Sequence, residues 1–119
     1  MFLTKNFTFN EFKCPLTGEC EMDHSFIYKL QKMRTMYGKP IYISSGYRSL
    51  EHNIAIGGAE KSLHMFGMAA DLKVKNSQER YQLVRFAIWC GFNGIGVYDH
   101  HVHVDTRDKE SLMWVGVSK

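Results

Sequence analysis

The stretch from Gly96 to Arg107, "GVYDHHVHVDTR", holds three of the chain's six histidines between two aspartates. Side chains of a β-strand alternate between its two faces. Read as a strand, the stretch puts His101, His103 and Asp105 on one face and sends Val102 and Val104 into a core on the other. One face then carries only groups that bind metals or move protons. A catalytic zinc takes three ligands from His, Asp or Glu and leaves a fourth position open, so this face needs ligands from elsewhere. The other histidine near an acid in a glycine-rich setting is His64 of "SLHMFGMAAD", with Asp71 seven residues on. That separation would place the pair on opposite faces of a straight strand. Gly67, between them, permits the turn that brings them together.

Length limits what such a site can belong to. A chain of 119 residues is about one domain, expected to span 1–119, and is too short for a (β/α)8 barrel. The composition, 45% hydrophobic and 23% charged with two prolines, is that of a globular protein and argues against disorder. The net charge of +3 is mild, and no basic run interleaves with aromatics as in a nucleic-acid groove, so no nucleic acid is expected. The same charge suits an anionic polymer such as a bacterial cell wall. No apolar run approaches the roughly 20 residues that cross a bilayer. "MFLTKNFTFNEF" also lacks the apolar centre of a secretory signal. The expectation is a soluble chain made in the cytoplasm without a signal peptide and without membrane insertion. Three cysteines do not make a disulfide framework. Cys14 and Cys20 in "CPLTGEC" are expected to be structural or reduced thiols, with pairing or metal binding as the alternative, and Cys90 is expected in the core.

Two helices can be read directly. "DHSFIYKLQKMRTMYG" has Asp23 as N-cap, apolar residues at Phe26, Ile27, Leu30, Met33 and Tyr37, and Gly38 as a stop. "NSQERYQLVRFAIWCG" has Asn76 and Glu79 at capping-box spacing, a stripe of Leu83, Val84, Ala87 and Ile88, and Gly91 at its end. "KPIYISS" reads as a strand with Pro40 near its start. The segment from Gly46 to Val74 reads as loop-rich, returning to a strand around Ala70–Val74, and "GIGVYDHHVHVD" supplies the last strands. The predicted class is α+β, a small antiparallel sheet with two main helices.

"SSGYRSLEHN", "GGAEKSLHMFGMAAD" and "GIGVYDHHVHVDTR", in that order and at these separations, closely resemble the small zinc peptidases that cleave bacterial cell-wall peptides. These are the D-Ala-D-Ala carboxypeptidases and dipeptidases and the L-Ala-D-Glu endopeptidases, whose fold is shared with the Hedgehog signalling domain. The resemblance runs from Phe7 to Arg107. Its specificity lies in the combination of Ser-x-His-x6-Asp with a later His-x-Asp. The short chain and missing signal are also similar to phage-encoded members, lysis enzymes (endolysins) or virion components that act at the cell wall or in the periplasm.

The resemblance makes His64, Asp71 and His103 the zinc ligands, with water in the open position. It gives Arg48 the task of holding a substrate carboxylate or carbonyl oxygen, which suits a planar fork of donors, and it puts Ser62 in the substrate pocket or, alternatively, at a turn cap. A further group should take a proton from the water and deliver it to the leaving amine. In relatives an acidic residue stands three positions before the last histidine ligand, and here that position is His100. Asp99, four before, is the first choice for the base by strand alternation, and His100 is the alternative. His101 is placed to donate to the developing oxyanion.

Plainer readings stand beside these. His24 and His52 are expected at a helix start and in a solvated loop, Asn53 and Gly57-Gly58 as loop geometry, and Asp105 and Arg107 as groups that orient the ligand strand. Tyr47 and Trp114 could line a pocket or belong to the core. Three functions remain open: a zinc peptidase acting on peptidoglycan stem peptides or cross-links, a catalytically silent zinc-bearing virion or wall-binding module, and a domain whose metal only holds the fold. Nothing in the sequence distinguishes the bond cut or the oligomeric state.

Overall fold

The computed structural model describes residues 1–117; the last two residues of the expected domain, 118 and 119, lie outside the described residues. The α+β class is observed. Helix α1 (Phe9–Phe12) is followed by α2 (His24–Tyr37), strand β1 (Ile43–Ser45), α3 (Leu50–Ala55), a 3-10 turn (Leu63–Phe66), β2 (Ala69–Lys73), α4 (Ser77–Trp89), β3 (Gly94–Val97), β4 (His101–Asp105) and β5 (Leu112–Val115).

Both long helices are bounded by the residues that the sequence marks. Asp23 accepts a hydrogen bond from Phe26 N–H at 3.0 Å, and Gly38 ends α2 in the left-handed region. Asn76 accepts from Glu79 N–H at 2.8 Å, while Glu79 reaches back to Lys75 N–H. These caps satisfy donors that the first turn leaves open. Phe26, Leu30 and Met33 of α2 and Leu83 and Ala87 of α4 are buried against Ala70, Leu72, Ile95, Val102 and Val104 of the sheet. Burial of each large apolar side chain contributes roughly 1.5–3 kcal/mol. One stripe residue departs from expectation: Ile88 is 55% exposed, because α4 turns that position away from the sheet. Cys90 is buried as expected, and so is Cys14, whose sulfur accepts from Ser49 N–H.

The sheet runs in the order β1-β2-β4-β3-β5. Its first four strands pair antiparallel, as expected, but β5 runs parallel to β3, so the sheet is mixed. The chain leaving β4 steps past the start of β3, where Asn93 Nδ2 donates to the carbonyls of Arg107 and Lys109 and Asn93 O accepts from Leu112 N–H. That crossing is long-range pairing, which local periodicity does not encode. The loop-rich segment also contains more structure than expected. Ser49 caps α3 by accepting from His52 N–H, which places His52 on a helix, half-buried, and not in a solvated loop. Among the described residues, no helix is long and apolar enough to cross a membrane.

Candidate metal centre

The alternation predicted for the last strand is present. Val102 and Val104 are fully buried in the core, and His101 and His103 face the other way. Across that second face the strand register aligns Ser45, Asp71, His103, Gly96 and Trp114, one residue from each strand. The 3-10 turn delivers His64 to the same place. Ser62 Oγ accepts from His64 N–H at 3.3 Å, and Gly67 closes the turn at φ 69°. A Cβ at Gly67 would stand 2.1 Å from the carbonyl oxygen of Glu21, so both the backbone angle and the packing require glycine. Ser62 is therefore a turn cap, and it also lines the cleft.

His64, Asp71 and His103 converge with one donor atom each, all within 4.8 Å of one another. They open on a cleft of about 1260 Å³. Each ring's tautomer follows from its outer partner. His64 Nδ1 faces Gly46 O at 2.8 Å and must carry the proton there, which leaves Nε2 as a lone pair 3.3 Å from Asp71 Oδ1. His103 Nε2 faces Asp105 Oδ2 at 2.7 Å, which leaves Nδ1 inward at 3.1 Å from the same Asp71 oxygen. Two lone pairs and a carboxylate oxygen thus point at one another. Such an arrangement is repulsive until a cation enters it, and a divalent metal meets all three donors. The donor set fits zinc.

The surrounding charges support that fit. Burial pushes the His64 pKa down and keeps the ring neutral, with Asp71 opposing only in part. Burial would lower His103 too, but the hydrogen bond to Asp105 and the nearby Asp71 carboxylate outweigh it and raise its pKa; whatever attracts a proton there attracts a metal cation. Burial would raise Asp71, yet the neighbouring His103 and His64 rings leave it well below the usual carboxylate range. Asp105 is likewise opposed by burial but brought down to about 2 by His103 and Arg107. Arg107 clasps Asp105 through Nε at 2.9 Å and Nη2 at 2.7 Å. The expected orienting role of this pair has a geometry: Arg107 holds Asp105, and Asp105 holds His103.

Arg48 reaches the centre differently from expectation. Its Nη2 donates to Asp71 Oδ2 at 3.2 Å, its Nε to Ser45 Oγ at 3.1 Å and its Nη1 to Asn53 Oδ1 at 3.5 Å. Arg48 therefore decides which Asp71 oxygen faces the histidines. Asn53 in turn donates to Ala59 O, so its loop role extends to fixing Arg48.

Strand alternation does not extend to Asp99. β3 ends at Val97 and β4 begins at His101, and Tyr98 N–H donates to His101 O, so Asp99 and His100 form the tip of a tight turn. Their side chains are 54% and 80% exposed, with His100 Nε2 3.6 Å from Asp99 Oδ2. Of the three residues proposed to move protons or stabilise charge, His101 is the one brought to the ligands, its Nε2 3.9 Å from Asp71 Oδ2. Burial lowers its pKa. Tyr47 turns away from the cleft and meets Glu21, whereas Trp114 lines the cleft. Reading the sequence alone missed β5, and the signal was present in the short apolar run "LMWV".

An α+β domain with two histidines and an aspartate facing an open cleft defines a class of small metal-site proteins whose ion is accessible to a ligand. A sequence profile of the peptidase M15 family matches residues 5–105, and the chain belongs to that family. A zinc D-Ala-D-Ala carboxypeptidase of Streptomyces albus G is 38% identical over 92 residues, 74% of this chain and 36% of the relative. The chain thus spans little more than a third of that curated relative's length.

Proposed function

We propose that the chain is a zinc-dependent peptidase that hydrolyses peptide bonds in the stem peptides or cross-links of bacterial peptidoglycan. The observation that carries this reading is the cleft-facing triad His64, Asp71 and His103, with each histidine's inward nitrogen freed by a fixed outer acceptor. The named activity of the relative favours D-Ala-D-Ala carboxypeptidase action over endopeptidase action. The fold is read as Hedgehog/DD-peptidase-like. The likeness to phage-encoded members supports action at the wall or in the periplasm, as an endolysin or a virion component.

Zinc held by the triad would polarise a carbonyl and make a water more acidic. The chain's own residues do the rest. Arg48 holds Asp71 Oδ2, which would leave Oδ1 to the zinc, and its remaining N–H groups can hold a substrate carboxylate or carbonyl oxygen. Ser62 fixes the turn that carries His64 and borders the peptide. Burial favours the neutral form of His101, and the ring lies next to the ligands, so it is the group in position to accept a proton and return it to the leaving amine. On this reading His101 stands before Asp99 and His100 as the base; those two lie at the turn's exposed tip, where His100 borders the cleft.

The test is release of free alanine and of new amino groups from purified peptidoglycan by zinc-loaded protein, beside a His64→Ala control. Zinc-dependent release that the control lacks supports the reading, and mass analysis of the fragments names the bond. One observation favours a second reading, a catalytically silent zinc-binding virion or wall-binding module: the acidic residue Asp99 is exposed at the turn's tip and is not among the residues that line the cleft. One equivalent of bound zinc with no release from any wall preparation would select it.

A further inference from the structure

The family match ends at Asp105, the last residue of β4, but the wall of the cleft continues. The chain crosses the start of β3 and returns as β5, where Trp114 lies in register with Gly96, which in turn pairs with His103. Trp114 Nε1 donates to Tyr98 Oη at 3.0 Å. Tyr98 in turn stacks on the His101 imidazole, with centroids 4.2 Å apart and planes 14° from parallel. Trp114 also tilts against His103 at 5.2 Å and receives the Arg107 guanidinium over its ring at 5.1 Å. Gly96 makes room for this arrangement. A Cβ there would stand 2.7 Å from Trp114 Nε1 and 2.8 Å from the Tyr98 ring.

A stacked pair of rings can slide and tilt at little cost, because its attraction depends weakly on offset. A hydrogen bond at the phenol's far end removes that freedom. A side chain that meets a reacting substrate must do so at a set reach and direction, so a group that holds the imidazole acts on the rate and not on substrate affinity. We propose that Tyr98 and Trp114 are a positioning pair that holds His101 at the metal centre, and that β5, outside the family-matched residues, completes the site by supplying the donor. The inference rests on the reading of His101 as the side chain that meets the substrate beside the ligands; the stack and the hydrogen bond that hold its ring are observed.

Trp114→Phe keeps an aromatic ring but removes the donor; Tyr98→Phe keeps the stack but removes the acceptor. Each is expected to lower kcat roughly fivefold, the worth of one neutral hydrogen bond, with KM and zinc content unchanged. The double variant is expected to lose no more than either single one, since both break the same bond. Gly96→Ala, which displaces both rings, is expected to lose more. A readout independent of turnover is proton NMR of the zinc-loaded protein. The His101 ring is stacked on Tyr98, so its protons should be shifted upfield; Trp114→Phe is expected to move them toward unstacked positions and leave those of exposed His24 in place. Unchanged His101 signals in Trp114→Phe, multiplicative losses in the double variant, or loss of zinc in either single variant would overturn the positioning pair. Full kcat in His101→Ala would instead overturn the proton-carrier reading while the ring shifts still report the stack.

Discussion

His103 and His100 stand three residues apart on one hairpin, and their surroundings are opposite. The His103 side chain is 12% exposed, with one nitrogen on Asp105 and the other on Asp71. That of His100 is 80% exposed and faces a neighbour on its own turn. Residue type is the same, so the difference comes from register. His103 sits opposite Asp71 on β2 and Gly96 on β3, between two strands that bring partners. His100 lies where the hairpin reverses: its carbonyl accepts from Val74 N–H, but its side chain stands out at the cleft's rim. A side chain becomes part of a metal centre when several chain segments hold it, and sequence proximity to a ligand does not substitute for that.

The sharpest way to break the comparison is to remove the ligand end. Asp71→Ala should abolish zinc binding and all zinc-dependent hydrolysis, read by metal analysis of the purified protein and by the peptidoglycan assay, while circular dichroism reports a retained fold. Hydrolysis that survives without zinc would end the proposed function. Next in size is His101→Ala, expected to lower kcat by about 10²–10⁴-fold with zinc still bound. If Asp99→Asn lowered it as much, the tip and not the strand would carry the proton.

A third prediction tests the outer acceptor of His103. Asp105→Asn keeps the shape but weakens the pull on the Nε2 proton, and zinc affinity should fall about 10–100-fold in a chelator competition. Acidification should work in the same direction. A proton and zinc compete for the inward nitrogen of His103, whose pKa is raised by Asp105 and Asp71. As pH falls through the histidine range the protonated fraction grows, and apparent zinc affinity should drop by about tenfold per pH unit for each ligand so protonated. An affinity independent of pH between 8 and 5 would contradict this. The smallest effect belongs to the tip: His100→Ala should change kcat and zinc affinity by less than about twofold, which sharpens the contrast with His103 if observed.

Much of this was legible before any coordinates. The caps of α2 and α4 are read from Asp23, Gly38 and Asn76 because capping is a contact between residues three or four apart. The face of His101 and His103 is read from alternation, and the turn between His64 and Asp71 from Gly67. The resemblance to zinc peptidases singled out the same three ligands that the structure brings together. Asp99 shows where this approach stops. Alternation holds only while a strand lasts, and the local mark of the end of β3 was Asp99 itself, a residue type that strands disfavour and turns accept.

By itself the sequence determined the class, the two long helices and the apolar face of β4, which follow from periodicity or from short-range backbone geometry, and its resemblance to zinc peptidases pointed to His64, Asp71 and His103. Tertiary structure alone decided that Arg48 grips Asp71, that Arg107 braces Asp105 behind His103, and that Trp114 returns on a parallel strand to hold Tyr98 against His101. Most of these contacts join residues far apart in the chain. Their geometry depends on which strands become neighbours, and that choice is made by burying a whole face of the sheet under α2 and α4 rather than by any local signal.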